Sequence, residues 1–212
     1  MKKAARGGIE TIALTDHNTF EGSRSLLEKK IALPSIDLIH AAELDASPRI
    51  ELFHILAYFR EMPDVTGEEL KAPIPPLPKE ADKRKKGYEI QEADTKNART
   101  IIRRVRRAGG IPVLAHPFTL DMEKEYLAEL ILDLMESGLL GLEIYNSRDE
   151  IREVSVEIDP QFLENFAEQH QLFKVSGSDY HGKGETEIGA IPFRYQYPDL
   201  PRQLNRQCAQ TH

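Results

Sequence analysis

Short apolar runs alternate with amphipathic segments along most of the chain. These short runs predict strands at 11–17, 36–44, 51–59, 111–115, 139–145 and 173–176. Between them, apolar positions spaced three and four residues apart predict helices at 19–31, 93–108, 123–137 and 160–170. Strands that alternate with helices favour a parallel sheet or an α/β barrel. The predicted fold class is therefore α/β.

Local signals mark several of the predicted boundaries. Asn18 or Thr19 is expected to cap the first helix, because a short side-chain oxygen accepts hydrogen bonds from free N–H groups. Gly109 and Gly110 are expected to end the basic helix. Pro160 suits the first position of its helix, since a missing N–H costs nothing there.

One segment interrupts this alternation. Residues 72–92 are rich in proline at first and in charge later, and the prolines cannot continue a helix or a strand. We expect an irregular loop or a reduced insertion there. The chain of 212 residues suits one domain with a sizeable core, so a single domain is predicted over residues 1–212.

Composition indicates a soluble globular protein. The apolar fraction is 40% and the charged fraction is 30%, which argues against disorder. The longest apolar runs fall far short of the roughly 20 residues that a membrane span needs. The basic start of the chain lacks the apolar core of a signal peptide. We therefore expect no membrane partner.

Charge and cysteine content exclude some functions and kinds of site. A net charge of −7 disfavours a nucleic-acid-binding module and a stable nucleic-acid complex, because a phosphate backbone would be repelled overall. The basic runs at 83–86 and 103–107 are interpreted as solvated surface. Cys208 is the single cysteine, so neither an internal disulfide nor a thiolate metal site can form. This fits a reducing compartment, and we expect a cytoplasmic location.

Metal-capable side chains occur where predicted strands end. In parallel α/β folds these ends meet at one edge of the sheet and carry the active residues. His54 is the exception, because it lies inside its predicted strand. The residues that close or closely follow predicted strands are Asp16, His17, Glu43, His116, Asp179 and His181. Scattered surface residues would not be expected to share one edge.

These residue types point to hard and borderline cations. Imidazole nitrogens and carboxylate oxygens are ligands for Zn²⁺, Mn²⁺ or Fe²⁺. Two or three such ions about 3.5–4 Å apart would polarise a phosphoryl group and activate a water molecule as the nucleophile. We therefore expect one to three divalent metal ions as cofactors.

Each residue also has a structural interpretation. A lone histidine within a strand, such as His54, is more often a core residue than a ligand. Asp16 could cap a turn, and residues 177–182 could form only a loop. His40, preceded by two apolar residues, is assigned a structural role. The argument for a site therefore depends on the ordered set and on no single member.

The ordered set resembles the PHP family, named for polymerase and histidinol phosphatase. The resemblance extends from about residue 5 to about residue 193. It is carried by Thr-Asp-His-Asn at 15–18, Glu43, His-Ile-Leu-Ala-Tyr at 54–58, Ala-His-Pro at 115–117 and Ser-Asp-Tyr-His-Gly at 178–182.

The resemblance implies a distorted (βα)7 barrel with a dinuclear or trinuclear metal centre that hydrolyses phosphate esters. By position, Asp16 would orient its neighbouring imidazole, and His17 or His181 would help to move protons. Small phosphoesterases that act on nucleotides look closest. The ligands that the resemblance implies are His17, Glu43, His54, His116, Asp179 and His181.

Arg148 is the candidate for binding substrate. It lies just beyond a predicted strand end, where its guanidinium could bind phosphate through two parallel hydrogen bonds. The alternative is an exposed loop arginine with no role in binding.

The chain departs from the family pattern in one respect. Members normally open with a His-x-His strand followed by Ser-Asp, and this chain has neither, so the first barrel strand is expected to be missing. Three ligands implied by the family fall in that piece. Of the three metal positions that the resemblance implies, the one bound by Glu43, His54 and His116 keeps all its protein ligands. The position that includes Asp179 and the position that includes His17 and His181 each lose ligands.

Two hypotheses follow. In the first, the protein hydrolyses phosphate esters of nucleotides or other small phosphorylated metabolites with metal-activated water. In the second, it is a truncated or inactive barrel that binds metal or ligand without efficient turnover. An open strand edge would favour self-association, so a homo-oligomer is left open.

Overall fold

The computed structural model describes residues 2–29, 36–47, 53–74, 90–120, 122–147, 158–182, 187–197, 199–200 and 204. The strands are β1 (Thr11–His17), β2 (Asp37–Asp45), β3 (His54–Phe59), β4 (Ile111–Leu114), β5 (Gly141–Asn146) and β6 (Phe173–Gly177). The α-helices are α1 (Lys2–Arg6), α2 (Glu21–Glu28), α3 (Gly67–Leu70), α4 (Glu92–Arg107), α5 (Lys124–Glu136) and α6 (Pro160–Gln169). Short 3₁₀ helices form at Pro117–Thr119 and Phe193–Tyr195.

The six strands form one sheet in sequence order, from β1 to β6. β1 is parallel to β2, and β4, β5 and β6 are parallel to one another. β3 is antiparallel to both β2 and β4. The connection from β2 to β3 is too short for the crossover that a parallel pair needs, so the chain turns back directly. The sheet is therefore mixed rather than wholly parallel.

The sheet curls so that its two edge strands approach each other at one end. β1 and β6 lie at opposite ends of the strand order. Nevertheless, the ring of His17, the last residue of β1, lies 6.4 Å from that of His181, just beyond β6. Curling of this kind produces a half-barrel with a concave inner face.

Both faces of the sheet are buried. The outer face packs against the helices, and its core includes Leu44, Ile55, Ile101 and Leu134. The concave face carries a smaller cluster, in which Leu204 joins strand residues such as Ala41, Leu56 and Val113. Because successive side chains of a strand point to opposite faces, burial on both sides explains the nearly continuous apolar runs of the sequence.

Most helix boundaries predicted from the sequence are confirmed to within a residue or two. Pro160 begins α6, and the side chain of Asp159 caps it by accepting from the N–H of Phe162 at 2.7 Å. Gly109 follows α4 with a φ of 81°, which glycine adopts without steric cost. α1 and α3 were not predicted, because helices of five and four residues are too short to show apolar periodicity.

The start of the first predicted helix is different. α2 begins at Glu21. The residue at the capping position is Phe20, whose side chain makes no hydrogen bond to the helix. Asn18, predicted as a cap, instead turns toward β2. Asp16 accepts from the N–H of Gly22 at 2.9 Å, and Thr19 Oγ1 accepts from the N–H of Glu21 at 3.2 Å. Two N–H groups of the first turn are thus bonded by the side chains of two residues that precede the helix.

The irregular segment is described only at its margins. Residues 72–74 and 90–91 have no regular secondary structure, and positions 75–89 lie outside the described residues. None of the helices in the described part of the chain has the length and apolarity that a membrane span requires.

Candidate metal centre

The predicted site residues gather at one end of the concave face. His17 is the last residue of β1 and pairs with Glu43 of β2. His54, the exception in the sequence pattern, is the first residue of β3 and pairs with Asp45. Because β3 runs antiparallel to β2, its beginning lies at the same edge as the end of β2. The antiparallel strand therefore delivers His54 to the site.

Three of these side chains form a buried triad, which consists of Glu43, His54 and His116. Glu43 Oε1 lies 2.7 Å from His54 Nδ1 and 3.0 Å from His116 Nε2. The two imidazole nitrogens are 2.9 Å apart. The three residues are 7%, 2% and 7% exposed, so little water competes for these atoms.

The hydroxyl of Thr119 bears on the tautomer of His116. It lies 2.9 Å from both the carbonyl and Nδ1 of His116, and its one hydrogen can be donated to only one of them. When it is donated to the carbonyl, Nδ1 carries a proton, and in the neutral ring the lone pair of Nε2 faces Glu43.

The buried Glu143 holds the backbone of His116 in place. Its carboxylate accepts from the N–H of His116 at 2.7 Å. A Cβ at Gly177 of β6 would lie 2.5 Å from Glu143 Oε1, so glycine provides the room for this carboxylate. Glu143 lies near the end of the predicted strand 139–145 but was not predicted as part of the site, because the sequence does not show that it supports another residue.

Backbone strain is concentrated at the site. Among the described residues, four non-glycine positions have a positive φ, and Asn18, His116 and Asp179 are three of them. Their φ values are 54°, 26° and 44°. Such conformations cost free energy and persist where surrounding contacts hold them, which is common at functional sites.

The charges of the triad depend on one another. Burial alone would raise the pKa of Glu43, but hydrogen bonds from His116 and His54 outweigh it and hold the pKa far below its usual range. Burial alone would lower the pKa of His116, but its hydrogen bond to Glu43 raises the pKa above the usual value. Without a metal, the triad therefore holds a carboxylate stabilised by a proton on an imidazole.

A second group adjoins the triad and includes a residue that the sequence analysis missed. Asp45 Oδ1 lies 3.2 Å from His17 Nδ1 and 3.4 Å from His54 Nε2. The hydrogen bond to Asp45 raises the pKa of His17. A signal was present, because Asp45 lies two residues after Glu43 and so faces the same side of the strand. It was not predicted as a site residue because it lies just beyond the predicted strand 36–44.

The remaining predicted ligands, Asp179 and His181, lie in the loop after β6. His181 Nδ1 lies 2.8 Å from the carbonyl of Asp179 and 3.3 Å from its Oδ1. The side chain of His181 is 52% exposed and that of His17 is 37% exposed. We call His17, Asp179 and His181 the rim, because they lie between the triad and solvent.

Two predicted residues are placed differently or not described. Asp16 contacts the first turn of α2 rather than an imidazole, and the carboxylate beside His17 is that of Asp45. Alternation along β1 explains this, since Asp16 and His17 face opposite sides of the sheet. Arg148 lies outside the described residues.

The triad suits a divalent cation in its chemistry. Three atoms that act as ligands, one oxygen and two nitrogens, converge within 3.0 Å of one another. Without a cation, at least one of them must carry a proton to offset their mutual repulsion. A tetrahedral zinc ion with bonds of about 2.0–2.2 Å would separate such ligands by about 3.3 Å, so a small outward adjustment accommodates it.

Comparison with known proteins supports the expected relationship. The chain is 35% identical over 81 residues to a 3′,5′-nucleoside bisphosphate phosphatase of Chromobacterium violaceum, covering 37% of this chain and 25% of that protein. It is 34% identical over 102 residues to a phosphoribosyl 1,2-cyclic phosphate 1,2-diphosphodiesterase of Eggerthella lenta, covering 48% of this chain and 33% of that protein. The chain is a homologue of phosphoesterases. The PHP-type resemblance predicted from its motifs is confirmed.

These relatives are matched over a limited part of their length. The matches span about a quarter and a third of the two curated proteins. No known family model matches the chain.

Solved structures show the same fold over nearly the whole chain. A proposed metal-dependent phosphoesterase from Bifidobacterium adolescentis superposes with a TM-score of 0.62 at 20% identity, covering 97% of this chain and 88% of that one. An amidohydrolase from Chromobacterium violaceum, with bound sulfate and no metal, gives 0.61 at 18% identity, covering 97% and 89%. The predicted α/β class with a distorted barrel is thereby confirmed.

Proposed function

We propose that this protein is a metal-dependent phosphoesterase that hydrolyses phosphate esters of nucleotides or other small phosphorylated metabolites. The observation that carries the proposal is the buried triad, in which Glu43, His54 and His116 aim three ligand atoms at one point. The homology to a phosphatase and a phosphodiesterase supplies the reaction class.

The triad would hold the first divalent ion, and the rim would complete the site toward solvent. Glu43 can serve both, because its Oε1 belongs to the triad and its Oε2 lies 3.7 Å from His17 Nε2. A bound ion supplies positive charge for the phosphoryl oxygens and lowers the pKa of a nearby water. Mn²⁺, Zn²⁺ and Fe²⁺ all suit this donor set, and we propose one to three ions.

The rim histidines are placed to handle protons. His17 and His181 are partly exposed, and the centroids of their rings are 6.4 Å apart, so both border the solvent side of the same site. His17 Nδ1 lies 3.2 Å from Asp45 Oδ1, where a ring proton would be held by the carboxylate, and Nε2 lies 3.7 Å from Glu43 Oε2. We propose that His181 donates a proton to the leaving oxygen, with Asp179 positioning it, and that His17 can do so only when its Nε2 carries a proton and binds no cation.

The substrate and setting proposed are those of a small-molecule enzyme. A net charge of −7 favours a compact phosphorylated substrate over a nucleic-acid polymer. Arg148 is the proposed phosphate contact, on its sequence position alone. The single cysteine supports a cytoplasmic location.

The test combines metal uptake with turnover. Metal-depleted protein is titrated with Mn²⁺ and with Zn²⁺, and hydrolysis of a nucleoside 3′,5′-bisphosphate and of a generic phosphate monoester is then measured. We expect at least one tightly bound equivalent and activity that rises with added Mn²⁺. Uptake without activity under any divalent ion would favour the inactive barrel, and no uptake at all would overturn the proposal.

A further inference from the structure

Two imidazoles bridge two carboxylates on the concave face. Glu43 and Asp45 are two residues apart on β2 and point to the same side. Asp45 Oδ1 lies 3.2 Å from His17 Nδ1 and 3.4 Å from His54 Nε2. The other nitrogens face Glu43, with His54 Nδ1 at 2.7 Å and His17 Nε2 at 3.7 Å. In each ring, therefore, one nitrogen faces Asp45 and the other faces Glu43.

We infer that Asp45 is a positioning residue that selects the tautomer of both His17 and His54, an inference that rests on the proposed function. A neutral imidazole has one N–H and one lone pair. A proton directed at Asp45 leaves the opposite lone pair directed at Glu43, where a cation would bind. Carboxylates commonly orient metal-binding histidines through the nitrogen that faces away from the metal.

The environment of His54 Nε2 supports the positioning role of Asp45. Its Nε2 atom is buried and makes no hydrogen bond in the described structure. A buried N–H without an acceptor is costly, and Asp45 Oδ1 is within reach at 3.4 Å. A slight rotation of the ring would bring Nε2 within hydrogen-bond distance of Asp45 Oδ1.

Asp45 is itself held firmly. Asn18 Nδ2 donates to Asp45 Oδ2 at 2.6 Å, and the N–H of Asp45 donates to Asn18 Oδ1 at 3.1 Å. Asn18 makes this reciprocal pair from a left-handed conformation, which asparagine tolerates better than most residues. The pair anchors Oδ2 and leaves Oδ1 for the two imidazoles.

The competing interpretation is that Asp45 is itself a ligand. The atoms of His17, Asp45 and His54 lie within 4.8 Å of one another, as a second cation site would require. However, His54 would then use both nitrogens for cations and would have to lose its last ring proton. Positioning needs no such deprotonation, and the two interpretations differ in metal stoichiometry.

The experiment measures zinc binding and histidine tautomers together. Zinc affinity and stoichiometry are determined by calorimetry for the wild type and Asp45→Ala, and ¹⁵N-histidine spectra of the zinc-loaded proteins report which nitrogen carries the proton. We expect a 10–100-fold weaker affinity in Asp45→Ala at unchanged stoichiometry. In the wild type, protons are expected on His17 Nδ1 and His54 Nε2, and in Asp45→Ala these assignments become mixed.

Two further variants separate the loss of histidine positioning from a general loss of structure. Asp37→Ala removes a carboxylate from the exposed start of the same strand, where it pairs with Arg60, and should leave zinc binding unchanged. The exchange of Asn18→Asp with Asp45→Asn keeps the reciprocal pair but offers the imidazoles a neutral amide oxygen. Its zinc affinity should lie between those of the wild type and Asp45→Ala. Thermal melting confirms that each variant is folded.

Several outcomes would overturn the inference. Unchanged affinity and tautomers in Asp45→Ala would remove the positioning role while leaving the proposed function intact. Loss of one whole zinc equivalent would make Asp45 a ligand instead. Absence of zinc binding by the wild type would overturn the proposed function and this inference together.

Discussion

The buried triad and the rim are built on different principles. Glu43 lies near the end of β2, His54 begins β3 and His116 follows β4 by two residues, and each is less than one-tenth exposed. Asp179 and His181 lie in the loop after β6, and the side chain of His181 is 52% exposed. The triad is therefore fixed by the sheet, whereas two of the three rim residues depend on a loop and only His17 lies on a strand.

This contrast suggests that the triad binds the cation and that the rim contacts substrate and exchanges protons. Low exposure strengthens the electrostatic interactions of the triad and suits tight binding of a cation. Exposure of the rim allows a substrate to enter and protons to be exchanged with solvent. Variants of the two regions should therefore separate metal uptake from turnover, and the predictions below run from the largest expected effect to the smallest.

The largest effect is expected where the two regions meet. Glu43→Gln removes the carboxylate whose oxygens face His54 and His116 on one side and His17 on the other. We expect metal affinity to fall by about 100-fold or more and hydrolysis to fall with it, because a buried cation would lose its negatively charged ligand. Calorimetry and phosphate release measure the two. Near-normal metal uptake would show that Glu43 is not a shared ligand.

A matched pair of histidine variants tests the contrast directly. His116→Ala should lose metal uptake by the triad, about 10–100-fold or more in affinity, and activity as a consequence. His181→Ala should retain that uptake and lose activity by about 100-fold, as expected for removal of a general acid. Metal content and kcat are measured for both. Equal effects of the two changes on metal uptake would remove the distinction between triad and rim.

The pH dependence of the triad has a defined sign. Glu43 has a folded pKa below the usual value of 4.5, so its contribution to stability is present above pH 4.5 and lost as the pH falls. His116 has a folded pKa above 6.5, so its contribution is present below pH 6.5 and lost as the pH rises. In metal-free protein both contributions are present together between pH 4.5 and 6.5.

Metal binding should reverse this trend at higher pH. A cation requires the lone pair of His116 Nε2, so zinc affinity should rise as the pH rises through the pKa of that residue. Chemical denaturation at several pH values, with chelator or with zinc, measures both effects. His116→Ala is the control, because its unfolding free energy should lose this part of the pH dependence. A metal affinity that is flat from pH 5 to 8 would argue against histidine ligands.

The smallest effect concerns Asp16. Its carboxylate accepts from the N–H of Gly22 in the first turn of α2, on the opposite side of β1 from His17. Asp16→Ala should cost about 0.5–2 kcal/mol of stability, the usual cost of losing such a cap, with metal affinity unchanged. Thermal or urea unfolding and zinc titration check this. Weaker zinc binding at normal stability would restore the orienting role that the sequence suggested.

Much of the fold followed from local patterns. The helices α4, α5 and α6 bury one apolar face each, so their periodicity showed both their existence and their approximate ends. The short helices α1 and α3 escaped, since their few residues reveal no period. The antiparallel direction of β3 explains why His54, inside a predicted strand, still reaches the site.

Less of the site could be predicted. The strand-end rule brought His17, Glu43 and His116 together because parallel strands align their ends. It could not distinguish Asp16 from Asp45, because their roles depend on which face each side chain takes relative to α2 and β2. Glu143 was missed as a supporting residue, since its hydrogen bond to a backbone N–H leaves no trace in the sequence.

The central claim is that the triad is a metal site, and diffraction tests it most directly. Crystals of the protein soaked in zinc would be measured at the zinc absorption edge, with His116→Ala as the control. We predict that the strongest anomalous peak lies between Glu43 Oε1, His54 Nδ1 and His116 Nε2, and that it disappears in the variant. No peak there, or a peak only on surface side chains, would contradict the claim.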